Sequence, residues 1–228
     1  MNNRHTSGID LRGERINYTQ GKLSENRAGN DPHALFDEWL QDAILRRDQE
    51  GDLLEPNAMV LSTMNPETEW PDSRVVLLKG HEGGKFVFFG NYESQKGHDL
   101  DVNRKAALNF SWLPIQRQVR IQGKVRRVST EESDSYFKVR PRGSQIGAWA
   151  SSQSDVVDSP DELAKAYERA EQRFGTGEVP RPNYWGGWAL TPHRFEFWQG
   201  GSSRLHDRIV LTLAGDSSGR WVVSRLAP

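Results

Sequence analysis

The stretch KAALNFSWLPIQRQVRIQGKVRRVS, residues 105–129, decides the fold. Two runs rich in β-branched and aromatic residues flank a turn containing Pro114, the pattern of two strands joined by a short connection. In the second run Gln118, Arg120 and Gln122 fall on one face and Val119 and Ile121 on the other, the period of two that a half-buried strand needs. The same grammar extends outward to NAMVLSTM (57–64), SRVVLLKG (73–80) and GKFVFFGN (84–91), then to WALTPHRFEFWQ (188–199), RLHDRIVLTL (204–213) and RWVVSRL (220–226). These runs predict an antiparallel sheet curled into a barrel.

Helices flank the strands. Asp31 caps a helix that begins at Pro32, carries Leu35, Phe36, Trp39, Leu40 and Ala43 at helical spacing and stops at Gly51. Capping boxes at Ser129/Glu132 and Ser159/Glu162 open two more, the second closed by Gly175. The fold class is therefore mainly β with flanking helices (α+β). Residues 1–30 are polar and without a period, so they read as a mobile arm, with Arg15 and Tyr18 its notable pair, ahead of a single domain over 31–228.

Bulk properties narrow the function. The chain has 228 residues, 30 Lys+Arg against 31 Asp+Glu, a formal net charge of −1 and no cysteine. No global basic field exists to hold nucleic acid, and thiolate chemistry, disulfides and Cys-based metal sites are excluded. The start MNNRHTSGIDLRGER lacks the apolar core of a signal peptide, and no apolar run reaches the ~18–20 residues of a membrane span. The expectation is a soluble cytoplasmic protein. Dinucleotide, P-loop, zincin and nucleophile-elbow motifs are absent, and the six histidines are scattered, so no metal site is expected.

What remains is a set of anion-seeking segments. In WQGGSSRLHDR (198–208), an extended reading puts Arg204, His206 and Arg208 on one strand face, either as charge that blunts an edge or as a row facing an anion. In RPRGSQIGAW (140–149), Arg140 follows Tyr136 by one helical turn and Ser144 sits in the loop beyond, a guanidinium, a phenol and a hydroxyl able to grip a phosphate. An arginine neutralising helix C-terminal carbonyls is the competing reading. Arg74 and Lys79 bracket four aliphatic residues, so they serve one site only where a strand end or bulge re-aims one of them. In NYESQKGHDL (91–100), Ser94 caps a helix with Lys96 in its first turn, where an anion is welcome.

Taken together, RVVLLK, NYESQKG, RQVRIQG, YFKVRPRGSQIGAWAS, QS at 153–154, WGG, EFWQG, RLHDR and RLAP occur in the order seen in pyridoxine/pyridoxamine 5′-phosphate oxidases, and the chain resembles that family from about Asn57 to Pro228. The arm segment RINYTQGKL (15–23) is similar as well. The resemblance implies an FMN-binding split β-barrel that works as a homodimer with sites at the interface. It implies oxidation of the 4′ carbon of pyridoxamine or pyridoxine 5′-phosphate to give pyridoxal 5′-phosphate, with O2 reduced to hydrogen peroxide.

Carried over residue by residue, the resemblance assigns flavin contacts to Arg74, Val75, Val76, Leu77, Leu78, Lys79, Phe89, Gly90, Gln95, Lys96, Gln118, Gln153, Ser154, Trp198 and Arg208. Substrate phosphate falls to Lys79, Tyr136, Arg140 and Ser144, and closure of the site to Arg15 and Tyr18. Arg204 and His206 lie over the pyridine ring as the candidate catalytic pair. The chain departs from the family where Gln95-Lys96 replaces the usual Arg-Lys, which implies weaker retention of the flavin phosphate. Two other readings stay open: a related split-barrel flavoenzyme acting on a substrate such as a phenazine precursor, and a noncatalytic flavin or pyridoxal phosphate carrier.

Overall fold

Alternation in the sequence becomes eight strands of one antiparallel sheet: β1 (Ala58–Met64), β2 (Pro71–Leu77), β3 (Phe86–Asn91), β4 (Lys105–Trp112), β5 (Arg117–Arg127), β6 (Trp185–Gln199), β7 (Asp207–Leu213) and β8 (Trp221–Arg225). The computed structural model describes residues 11–216 and 218–228, so residues 1–10 of the expected arm lie outside the described residues. Six helices flank the sheet: α1 (Glu25–Ala28), α2 (Pro32–Glu50), α3 (Gln95–Val102), α4 (Thr130–Val139), α5 (Arg142–Ala150) and α6 (Pro160–Phe174).

The strand order is β2-β1-β4-β5-β6-β7-β8, with β3 added to β6 off this path. β6 is the pivot. β5 pairs along its length, whereas the other edge takes β3 over Trp185–Leu190 and β7 over Arg194–Gln199. Between those halves the β5 register shifts at Gln122/Gly123. Gly123 permits that shift, because a Cβ there would stand 2.3 Å from the Thr191 carbonyl oxygen. The bend opens the sheet into the two lobes of a split barrel.

The inward face packs Phe86, Phe88, Phe110, Ile121, Phe195, Phe197, Ile209 and Leu211 against Phe36 and Trp39 of α2. Each such side chain contributes roughly 1.5–3 kcal/mol of transfer free energy. A second cluster of Phe137, Ile146, Ala170, Val179 and Trp185 ties α4, α5 and α6 together. The caps read from sequence form: Asp31 accepts from the His33 and Ala34 amides, and Ser129 and Ser159 accept from the Glu132 and Glu162 amides.

Within the arm expected over 1–30, Leu23 and Ala28 belong to the main core. Two expectations are corrected. Ser144 is not in a loop; it lies on α5, a helix that has no side-chain cap bond at its N-terminus and buries Ile146. The strand expected from Arg204 begins only at Asp207, because Ser203 (φ 54°) and Arg204 (φ 62°) are left-handed in a short 3-10 turn. Arg204 therefore does not share a strand face with Arg208.

The N-terminus of α3 is set by a close approach: a Cβ on Gly97 would stand 1.9 Å from the Tyr92 carbonyl oxygen. Gly97→Ala is expected to cost at least about 1–3 kcal/mol by overpacking. Gly147→Ala in α5, where an added Cβ meets nothing within 4 Å, is expected to gain about 0.5–1 kcal/mol. Urea denaturation of both variants checks the contrast, and equal stabilities would contradict the tight seat of α3.

Candidate active site

Because β2 ends at Leu77, the chain turns before Lys79 and brings it to the same side as Arg74. One cavity of about 760 Å³ results, bounded by β2, β3, the start of α3 and the α4–α5 junction. Its wall holds Arg74, Val75, Val76, Leu77, Lys79, Phe89, Gly90 and Lys96 from the first group of elements. From the α4–α5 junction come Tyr136, Arg140 and Ser144, joined by Gln153 beyond α5 and Trp185 at the start of β6. Leu78 is buried in the main core instead, and Gln95 and Ser154 stand outside the lining, joined to each other by the Gln95 amide donating to Ser154 Oγ at 3.2 Å.

The cations of this cavity are unequally neutralised. Arg74 meets the Asp72 carboxylate, donates to Thr63 Oγ1 at 2.6 Å and lies 3.8 Å from the fully buried Asp99. Asp99 is held in turn by Thr63 Oγ1 at 2.6 Å and by Gln95 Nε2 at 2.9 Å. Among the described residues Lys96 has only neutral hydrogen-bond partners, Ser94 Oγ and Gln153 Oε1, each at 2.8 Å. Burial, with Arg74 nearby, brings its pKa down to about 8. Gly90 makes room for it, since a Cβ there would lie 2.9 Å from Lys96 Cε.

Arg140 is the more exposed to charge imbalance of the two. Its guanidinium lies 4.4 Å from the Trp185 ring centre and 5.3 Å from that of Phe137, and its Nη1 is buried with no hydrogen-bond partner among the described residues. Burial lowers its pKa. Lys79 Nζ stands 6.0 Å over the Tyr136 ring, which stacks on Phe89 at 4.0 Å. A desolvated cation with no counter-charge is costly unless an anion completes it, and a phosphate offers the acceptors that a guanidinium, an ammonium, a phenol and a hydroxyl can share.

The remaining candidates form a second group. Trp198, His206 and Tyr18 make an aromatic corner, with His206 4.7 Å from Trp198 and Tyr18 5.7 Å from each. The Gly201 amide donates to His206 Nδ1 at 3.1 Å, which leaves the neutral ring's proton on Nε2. Burial, then Arg204, lowers the His206 pKa. Arg15 and Arg204 line a separate cleft of about 440 Å³ with Tyr18 and Ser203. Gln118 and Arg208 flank Trp198 across the β5–β6 and β6–β7 pairings. The cationic row expected at 204–208 is thus split: Arg208 is held by Glu196 at 2.7 Å, and Arg204 sits on a turn.

Several site residues escape local sequence reading. Gln116 seats the arm, its Oε1 accepting from the amides of Thr19 at 2.9 Å and Gln20 at 3.1 Å. Asp99 and Glu196 orient arginines, and Trp185 floors the cavity. Trp185 alone had a visible marker, the WGG motif.

Comparison with known proteins draws these groups together. Residues 47–174 match the model of the pyridoxamine 5′-phosphate oxidase family, and residues 185–228 match the pyridoxine 5′-phosphate oxidase C-terminal dimerisation region. The chain belongs to the pyridoxamine 5′-phosphate oxidase family. It is 47% identical over 220 residues to pyridoxine/pyridoxamine 5′-phosphate oxidase 2 of Hydrogenovibrio crunogenus, covering 96% of this chain and 99% of that protein. It is also 47% identical over 221 residues to the pyridoxine/pyridoxamine 5′-phosphate oxidase of Synechocystis, covering 97% and 99%. Among solved structures it is similar to PhzG from Burkholderia lata in complex with tetrahydrophenazine-1-carboxylic acid, with TM-score 0.81, 25% identity and coverage of 90% and 98%. A pyridoxamine 5′-phosphate oxidase-related, FMN binding protein from Nostoc punctiforme shares the fold, with TM-score 0.67 at 12% identity over 85% of this chain and 97% of that one.

Family membership makes the chain an oxidoreductase with the split-barrel fold. The cavity cations Arg74, Lys79, Lys96 and Arg140 lie within 47–174, and Trp198, Arg204, His206 and Arg208 lie within the dimerisation region. Arg140 tests the charge reading of the cavity directly. Arg140→Met, which removes the unpartnered guanidinium but keeps the apolar stem, is expected to leave the melting temperature of the free protein unchanged or higher. The stabilisation gained by adding inorganic phosphate should disappear in it. Thermal denaturation across a phosphate series is the check; an undiminished phosphate effect would place the anion elsewhere.

Proposed function

We propose that the protein oxidises pyridoxamine 5′-phosphate and pyridoxine 5′-phosphate to pyridoxal 5′-phosphate, with FMN as resident cofactor and O2 as the terminal acceptor. The amine substrate then yields the aldehyde, ammonia and hydrogen peroxide from O2 and water, and the alcohol yields the aldehyde and hydrogen peroxide from O2. The carrying observation is that one cavity holds two sets of cations: Arg74 near Lys96, and Lys79 over the Tyr136 ring together with Arg140 and Ser144. Two grips suit two phosphates, one on the cofactor and one on the substrate.

The residues present fit FMN. Lys96 is desolvated and lacks an anion, and Gly90 leaves the space it folds through, so Arg74 and Lys96 would hold the flavin phosphate. The stretch Val75–Leu77 with Phe89, Gly90 and Gln153 would surround the same group, with Gln95 and Ser154 just outside this lining, and Gln118, Trp198 and Arg208 would meet the ring. The chemistry that bound FMN supplies is acceptance of two electrons from the 4′ carbon. The protein's part is orientation. Lys79, Tyr136, Arg140 and Ser144 use binding energy remote from the reacting carbon to hold its approach, and a neutral His206 presents its Nε2 proton beside Arg204.

The division between the two family segments supports a homodimer in which the dimerisation region of one protomer completes the cavity of its partner, with Arg15 and Tyr18 closing it. No helix among the described residues is long and apolar enough to cross a membrane, which agrees with a cytoplasmic enzyme. A PhzG-like activity is the second reading, favoured by the structural similarity to PhzG. The four-residue phosphate grip favours the phosphorylated pyridine. Turnover of pyridoxamine 5′-phosphate under air, followed by aldehyde and peroxide formation, decides between them; a protein inert toward both phosphorylated substrates would sink the proposal.

Two sets of variants extend the test. Arg204→Ala is expected to lower kcat/KM for pyridoxamine 5′-phosphate by about tenfold or more while leaving FMN affinity intact, since one charged hydrogen bond contributes about 1.5–3 kcal/mol. Arg208→Ala is expected to weaken FMN binding, with activity returning in excess FMN. Steady-state kinetics and flavin titration check both. Gln95→Arg is expected to tighten FMN binding by roughly tenfold, with Asp99 positioned to orient the new guanidinium, and to leave turnover at saturating FMN unchanged.

A further inference from the structure

Glu196 is the carboxylate buried deepest on the outer face of the β5–β6–β7 sheet, and it is only 3% exposed. Register places it beside Arg120 of β5 and one diagonal step from Arg208 of β7. Three guanidiniums converge on it: Arg208 at 2.7 Å, Arg194 at 2.9 Å and Arg120 at 3.5 Å. Burial pushes its pKa up, but the bonds from Arg208 and Arg194 prevail and hold the carboxyl below its usual range. The group is therefore ionised at neutral pH.

Its two oxygens divide the work. Oε2 takes Arg194 and Arg120, whereas Oε1 is given to Arg208 alone, accepting from Nε at 3.0 Å and Nη2 at 2.7 Å. Arg208 Nη1 donates to the Ala227 carbonyl at 2.9 Å. These bonds occupy three of the five N–H donors of a guanidinium and leave one on each terminal nitrogen. The plane of the guanidinium is thus fixed by Glu196 through Nε and Nη2 and by the Ala227 carbonyl through Nη1. A long, rotamer-rich side chain is thereby ordered before any ligand arrives.

We propose that Glu196 is a positioning residue for FMN binding: a buried carboxylate that holds Arg208 in the orientation in which its free donors meet the flavin. The role rests on the assignment of Arg208 to the flavin made above. It runs against simple Coulomb expectation, because a negative charge beside the site of an anionic cofactor should repel that cofactor. The sign of the effect therefore separates positioning from charge.

The test uses flavin titration of Glu196→Gln, Arg208→Ala, the double variant and Arg194→Gln in the full-length protein. Positioning predicts that Glu196→Gln weakens FMN affinity by about tenfold, that turnover at saturating FMN recovers, and that the same substitution changes affinity less than about twofold once Arg208 is alanine. Arg194→Gln, which removes a cation from Oε2 without touching the Oε1 bonds, should stay within about twofold of the parent. Tighter or unchanged FMN binding in Glu196→Gln overturns the proposal, as does an equal loss in both Arg208 backgrounds, which would mark a general structural effect. If Arg208→Ala leaves FMN affinity unchanged, the assignment of Arg208 to the flavin falls and this role with it. If Arg208→Ala weakens FMN while Glu196→Gln does not, only the positioning role falls.

Discussion

A buried ammonium and a half-buried guanidinium, with no carboxylate of the described residues bonded to them, set the terms for the rest of the molecule. Among the described residues Lys96 is bonded only to a hydroxyl and an amide oxygen, and Arg140 keeps a buried nitrogen with no hydrogen-bond partner. Neither arrangement favours folding. The surrounding structure has to hold both groups in place, and it does so with rigid parts. Trp185 and Phe137 stack beneath Arg140, and the Gly97–Tyr92 approach pins the first turn of α3 under Lys96. The stability given up here is stability that an anionic ligand returns on binding.

Rigidity at that distance from the main core depends on β6. A 15-residue strand that pairs with β5 over Trp188–Gln199, and with β3 and then β7 on its other edge, couples the cavity to the Trp198–Arg208 segment through one backbone. The register shift at Gly123 lets both halves keep their hydrogen bonds while facing different neighbours. Charge is handled differently at the two ends. Cations are left open at the cavity, whereas Glu196 gathers three of them near Arg208.

Much of this was legible in the residues, and the failures share a cause. Alternation gave all eight strands, and capping chemistry located α2, α4 and α6, because those signals are local. The strand end that re-aims Lys79 toward Arg74 was visible as a requirement of alternation. α5 was not visible: its helix carries two glycines, follows Pro141 and has no side-chain cap bond, and it buries Ile146. The arm looked featureless because its anchors are distant side chains, Gln116 for Thr19 and Gln20 and Asp207 for Leu23. Strand alternation across 204–208 failed because two left-handed residues interrupt it, a feature that Ser203 and Arg204 do not announce. The partners of the site arginines, Asp99 and Glu196, read as ordinary acids until the sheet register set them opposite their arginines.

The anchoring of the arm has a consequence for how the chain is made. Arg225 clasps Glu25 across a separation of 200 residues, and it also donates to the Leu23 carbonyl and to Asp207. A ribosome adding about 5–20 residues per second needs roughly 10–40 s to bring the second half of that clasp into existence. Through that interval Leu23 has no core to enter and Tyr18 has no aromatic corner to lean on. The segment around Leu23 and Glu25 is thus made long before its partner and stays protease-accessible until β8 has emerged.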